Sequence, residues 1–170
     1  MNLENLIMRF IFRHIFLFNI IVCFFALITV VFTIIGLGWK PCPMCLIQQL
    51  CVLCIMIFSI LGLIKNSSKG FSTIVQTVII LIIAVGCYIA ADQAYLQYFS
   101  STISDDPTGC GAISNPFLID ATKSLTGTVS SCTSIAEEIS GISLAVYSLI
   151  FFICLLVMNC VSLFVRIFKK

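Results

Sequence analysis

Lys40-Pro41-Cys42-Pro43-Met44-Cys45 runs directly into Leu46–Ile64, a stretch without a single charged residue. Proline is excluded from helix interiors but accepted in a first helical turn, where its missing N–H has no partner to lose. The second helix is therefore expected to start close to Cys42. The apolar run behind it is about as long as the roughly 20 residues a helix needs to cross a bilayer. This one stretch thus carries a helix start, a membrane span and a Cys-x-x-Cys at their junction.

Working outward, three more segments qualify as spans: Ile15–Leu37, Ile74–Ala91 and Ile142–Phe164, beside the span at Leu46–Ile64. The third is expected to continue as helix past Asp92 toward Tyr98. The fold expected is all-α: one membrane domain over residues 1–170, a four-helix bundle with a long loop at about 99–141 between helices three and four. The other connections are short, so consecutive helices run antiparallel. Composition agrees. Hydrophobic residues make up 61% of the chain and charged residues 9%, against about 25% charged in a soluble domain. That excludes a soluble enzyme and a disordered chain. A net charge of +2 excludes a nucleic-acid binder. The first apolar run is longer than a signal-peptide core, and no small-x-small cleavage site follows it, so it reads as a retained helix.

Lysine and arginine set the orientation. Arg9, Arg13, Lys65, Lys69, Arg166, Lys169 and Lys170 fall on the side of the termini, and only Lys40 and Lys123 on the other. The termini are expected to be cytoplasmic. The outer face is acidic, with Asp105, Asp106, Asp120, Glu137 and Glu138.

This placement sorts the ten cysteines. Cys23, Cys51, Cys54, Cys87, Cys154 and Cys160 lie inside spans, where a thiol acts as a small apolar group. Cys42, Cys45, Cys110 and Cys132 lie on or at the edge of the outer face, where disulfides persist. A Cys-x-x-Cys at a helix N-terminus meets unpaired N–H groups and the positive end of the helix dipole, which stabilise a thiolate. Two sulfurs one turn apart form a small, reducible disulfide, suited to electron transfer more than to reinforcement. Cys110, flanked by Gly109 and Gly111, and Cys132 stand in the polar loop. From spacing alone a structural link and a second redox pair are equally open. Two outward pairs in one small protein favour exchange between them. No haem ligand pair or dinucleotide-binding glycine pattern is visible. An electron acceptor soluble in lipid, such as a quinone, would reach Cys45 at the membrane boundary, with Trp39 beside its approach or simply anchored in the interface.

These residues resemble the DsbB family. The resemblance covers roughly residues 12–165. It rests on Lys40–Cys45 at the head of a second helix, Leu96-Gln97 near the end of the third, Cys110, and Cys132 with Gly141 behind it. It implies a bacterial inner-membrane oxidoreductase with periplasmic cysteines, which reoxidises a DsbA-like, thioredoxin-fold thiol oxidase and passes the electrons to ubiquinone or menaquinone. It further implies that Cys42 and Cys45 form the membrane-proximal disulfide, with Cys45 facing quinone. Cys110 forms the mixed disulfide with the partner, and Cys132 pairs with Cys110 and passes electrons toward Cys42.

The chain departs from the family pattern at three places. Gln49 stands where the family usually has an arginine, about 40° off the Cys45 face and one turn deeper. It offers a quinone oxygen a hydrogen bond but no charge, with Gln48 to its other side and Lys40 as the nearby cation. Asp92-Gln93 replaces a common Arg-His pair. Glu137 replaces the usual tryptophan. The residues alone also accommodate a vitamin-K-epoxide-reductase-like quinone reductase, or a structural membrane protein with non-catalytic disulfides.

No metal site is expected. Cys51 and Cys54 make a second Cys-x-x-Cys, but on a continuous helix they point about 180–240° away from Cys45 and lie deeper, too dispersed for one zinc. They read as packing. His14 reads as interfacial, and Asp92 as either functional or reaching headgroup water. Asn115–Ala121 reads as a short helix lying on the membrane or a plain loop anchor.

Overall fold

The computed structural model describes residues 3–38, 42–65, 69–99, 120, 123–124, 132, 138–139 and 141–168. Four long helices dominate: α1 (Leu3–Leu37), α2 (Pro43–Ile64), α3 (Lys69–Phe99) and α4 (Leu144–Phe168). Within them His14–Gly36, Pro43–Ile64, Gly70–Phe99 and Leu144–Phe168 are long and apolar enough to cross a membrane. The expected all-α membrane bundle is what the chain forms. One addition was not expected. A two-residue hairpin, β1 (Glu138–Ile139) and β2 (Ile142–Ser143), pairs antiparallel just before α4. Gly141 sits in its turn with φ 79°, a conformation that glycine adopts without steric cost.

The helix ends follow from local chemistry. Gly38, at φ 66°, ends α1 in the left-handed conformation usual just past a helix. Cys42 precedes a proline and is therefore held extended, at φ −87° and ψ 162°, which is N-cap geometry. Pro43 then occupies the first helical turn. The α2 helix thus begins at the motif itself, three residues before the expected apolar boundary at Leu46. α3 spans 31 residues, roughly 46 Å at 1.5 Å per residue, which is longer than the hydrocarbon core. Its last two turns carry Asp92 to Phe99 toward the loop side, as expected.

The outside of the bundle is apolar. Phe25, Phe32, Leu81, Tyr88, Val157 and Phe164 are all more than half exposed, a distribution that suits lipid and not water. The inside mixes packed rings with polar side chains. Phe16, Ile55, Ile79, Ile83, Phe152 and Leu155 fill the core. α3 packs along α2 and α4, α1 packs along α2, and α1 meets α4 over a shorter seam. Asn19 and Asn159 exchange two side-chain hydrogen bonds (2.9 and 3.1 Å), and Gln76 donates to the Asn159 carbonyl at 3.1 Å. These links join α1, α3 and α4 in the half of the bundle near the termini, in the manner of polar contacts between membrane helices. In the same half Arg166 donates to the Ser72 hydroxyl and lies over the Phe16 ring.

Candidate redox site at the head of the second helix

The cap of α2 brings the two motif cysteines together. Cys42 is buried and Cys45 half-buried. Their sulfurs are 2.6 Å apart. The Cys45 N–H donates to the Cys42 sulfur at 3.3 Å, and the Leu46 N–H to the Cys42 carbonyl at 3.2 Å. The sulfur at the helix terminus is therefore that of Cys42, and this limits the expected thiolate stabilisation. The side-chain hydrogen bond with Cys45 pushes the Cys42 thiol well above its ordinary range, aided by burial and by the charge of Cys45. The N–H groups of Cys45 and Met44 work the other way and are outweighed.

Cys132 joins this pair. It is fully buried, and it packs in one cluster with Cys42, Met44 and Ile89, flanked by Cys45, Ile47 and Leu96. Cys132 is disulfide-bonded. The loop cysteine thus packs against the head of α2. The Ser143 N–H donates to the Tyr98 hydroxyl at 3.4 Å, tying the head of α4 to the end of α3.

Beneath the sulfurs lies a polar chain that crosses three helices. Gln93 of α3 donates through Nε2 to both Cys42 Sγ and Cys45 Sγ, at 3.3 Å each. Gln48 of α2 donates to Gln93 Oε1 at 2.8 Å, and the Ser148 hydroxyl of α4 donates to Gln48 Oε1 at 2.6 Å. Both amides are buried. Next to the chain is a cavity of about 260 Å³, lined by Cys45, Gln48, Gln49 and Gln93, by Val30 and Thr33 of α1, and by Tyr147 and Ser148 of α4. Its walls are mostly apolar, with a few amide and hydroxyl groups among them, the usual make-up of a small-molecule pocket. A quinone head fits this donor set.

Of the expected site residues, the fold gathers Cys42, Cys45, Cys132, Gln48 and Gln49. Trp39, Lys40 and Cys110 lie outside the described residues, as does most of Asn115–Ala121. Gln93 and Ser148 were not expected at the site. Gln93 had a signal, as a polar residue inside an apolar helix. Ser148 had none. Cys51 packs in the core, in keeping with its reading as packing. Among the described residues no cluster of metal-binding side chains occurs.

A membrane bundle with paired thiols at a helix head, a third cysteine packed on them and an apolar cavity alongside belongs to the thiol–disulfide class of membrane proteins. The DsbB family profile, described as disulfide bond formation protein DsbB, matches residues 12–162, and the chain belongs to that family. Disulfide bond formation protein B of Xanthomonas axonopodis pv. citri is 28% identical over 153 residues, covering 85% of this chain and 86% of that protein. Disulfide bond formation protein B 1 of Pseudomonas fluorescens is 31% identical over 65 residues, 38% of either chain. The match to disulfide bond formation protein B of Polaromonas naphthalenivorans is 31% identical and covers 39% of this chain and 40% of that protein. These last two alignments span only about two-fifths of each relative. No solved structure matches the chain.

Proposed function

We propose that this protein oxidises the dithiol of a DsbA-like periplasmic oxidase and passes the electrons to membrane quinone. The observation that carries this reading is the burial of Cys132 against Cys42, with Cys45 on the wall of the cavity. A loop cysteine thereby packs in one cluster with the motif, and Cys45 borders the cavity proposed for the acceptor. The termini are cytoplasmic and the cysteines periplasmic in this reading, supported by the bias of lysine and arginine.

A partner thiolate attacks Cys110 of a Cys110–Cys132 disulfide and releases Cys132. Cys132 attacks Cys42 and releases Cys45. The partner's second thiol resolves its mixed disulfide and leaves as the oxidised protein. Cys110 then displaces Cys42 from Cys132, and Cys42 closes again on Cys45 as an electron pair leaves. A quinone held beside Cys45, Gln48 and Gln49 would supply the sink for the two electrons and two protons that the partner dithiol has lost. Gln49 and Gln48 would orient its oxygens without charge.

The test is a Cys110→Ser variant. Given a small dithiol and quinone, it keeps quinone reduction, because the inner pair is intact. Given a reduced periplasmic oxidase, it loses substrate oxidation. Equal loss of both activities refutes the two-pair relay.

A further inference from the structure

The chain Ser148–Gln48–Gln93–sulfur has a direction. An amide presents a donor at one end and an acceptor at the other, so fixing one amide fixes the next. The Ser148 hydroxyl donates to Gln48 Oε1, which turns the Gln48 Nε2 toward Gln93 Oε1, which in turn aims the Gln93 Nε2 at both sulfurs. The reverse polarity would point the Gln93 carbonyl at the sulfurs. The two polarities have opposite effects. An N–H aimed at sulfur favours a thiolate as a charge-assisted acceptor, and a carbonyl favours the thiol as donor. Both amides are buried, so water offers little substitute for a lost partner.

We propose that Ser148 is a positioning residue: its hydroxyl donates to the far end of the buried amide chain, and through Gln48 and Gln93 it supports the N–H donor held on the reactive sulfurs. This rests on the reading of Cys42 and Cys45 as the redox pair. It gives α4, which contributes no cysteine to the site, a part in thiol reactivity. It also supplies a neutral means of favouring the thiolate in a site where Gln49 and Gln93 stand in place of the family's usual charged residues.

The experiment uses the full chain in detergent, reduced, freed of reductant and without added quinone. Iodoacetamide is added at neutral pH, and peptide mass mapping reads the alkylation rate of Cys45. Ser148→Ala is expected to slow Cys45 by about tenfold, equivalent to about 1.4 kcal/mol. Ser148→Thr, which keeps the hydroxyl, restores the wild-type rate. Gln93→Leu slows Cys45 at least as much, and adding Ser148→Ala to it changes nothing further, because the chain is already cut. A wild-type rate in Ser148→Ala, a Thr variant as slow as the Ala variant, or losses that multiply in the double variant each overturn the proposal. Quinone turnover by the wild-type protein is measured separately. If it is absent while the alkylation pattern holds, the functional reading fails and the positioning role stands.

Discussion

At the scale of single residues, the site is a contest over one proton. Cys42 caps α2, where N–H groups favour a thiolate, yet its neighbour sulfur and its burial favour the thiol, and these prevail. The consequence for pH has a definite sign. A raised thiol pKa means the folded reduced protein keeps a proton that the unfolded chain sheds above about pH 8.5, so the reduced fold loses stability as pH climbs past that value. The oxidised protein has no such proton and no such loss. Alkylation of Cys42 in the reduced protein should keep rising by about tenfold per pH unit where a denatured control has already levelled off, near pH 9.5. A Cys42 profile that levels with the control would contradict this. The sequence set four outward cysteines apart from the six inside spans, and of those four the fold brings Cys42, Cys45 and Cys132 together. The sequence did not make Gln93 legible as a sulfur ligand, because whether a polar residue on α3 faces the head of α2 depends on how two helices cross. Ser148 was less legible still, since a serine is compatible with either face of a membrane helix.

At the scale of elements, helix identity was written in apolar length, and helix contact was not. The four spans were placed by counting, and the start of α2 by two prolines. The outer end of α3 lies past Asp92, as the sequence predicts. The hairpin before α4 was missed because two residues per strand leave no periodicity to read. Also hidden were the points of closest approach. A Cβ on Gly86 would stand 2.5–2.9 Å from the Phe152 ring, and one on Gly62 2.8–3.0 Å from the Phe16 ring. Both rings are fully buried. Small residues allow this approach in membrane bundles. Gly86→Ala gains up to about 1 kcal/mol of helix propensity but forces the Phe152 ring to move, at a typical cost of about 1–3 kcal/mol. The net expectation is a loss of about 1 kcal/mol, or a fall of roughly 2–4 °C in melting temperature. Gly70→Ala is the control, because nothing lies within 4 Å of its added Cβ. Equal melting temperatures for the two variants would show that the Phe152 contact does not constrain the bundle. Phe152 also lines the cavity, so the same substitution should weaken quinone binding.

At the scale of the whole molecule, the four helices do not close evenly. Polar links tie α1, α3 and α4 together in the half near the termini, and the cysteines, α3 and the hairpin crowd the other end. Between these ends the shorter seam of α1 and α4 leaves the cavity, with Val30 and Thr33 on one helix and Tyr147 and Ser148 on the other. On the proposed function, the arrangement separates two kinds of traffic. In that reading protein thiols would arrive from the loop side, where Cys132 packs in one cluster with Cys42. A lipid-soluble acceptor would, in the same reading, enter sideways through the α1–α4 seam and reach Cys45 from the cavity it lines. Val30 is half-buried on the cavity wall, outside the packed core, so it tests this separation with little cost to folding. Val30→Trp should raise the KM for quinone at least tenfold, about 1.4 kcal/mol of lost binding, by filling the space a ring would occupy. Thiol exchange between a reduced partner oxidase and the loop disulfide should proceed at the wild-type rate, since it takes place on the other side of the sulfurs. Parallel loss of both rates, with the melting temperature unchanged, would mean that acceptor and partner share one approach and that the seam is not an entrance.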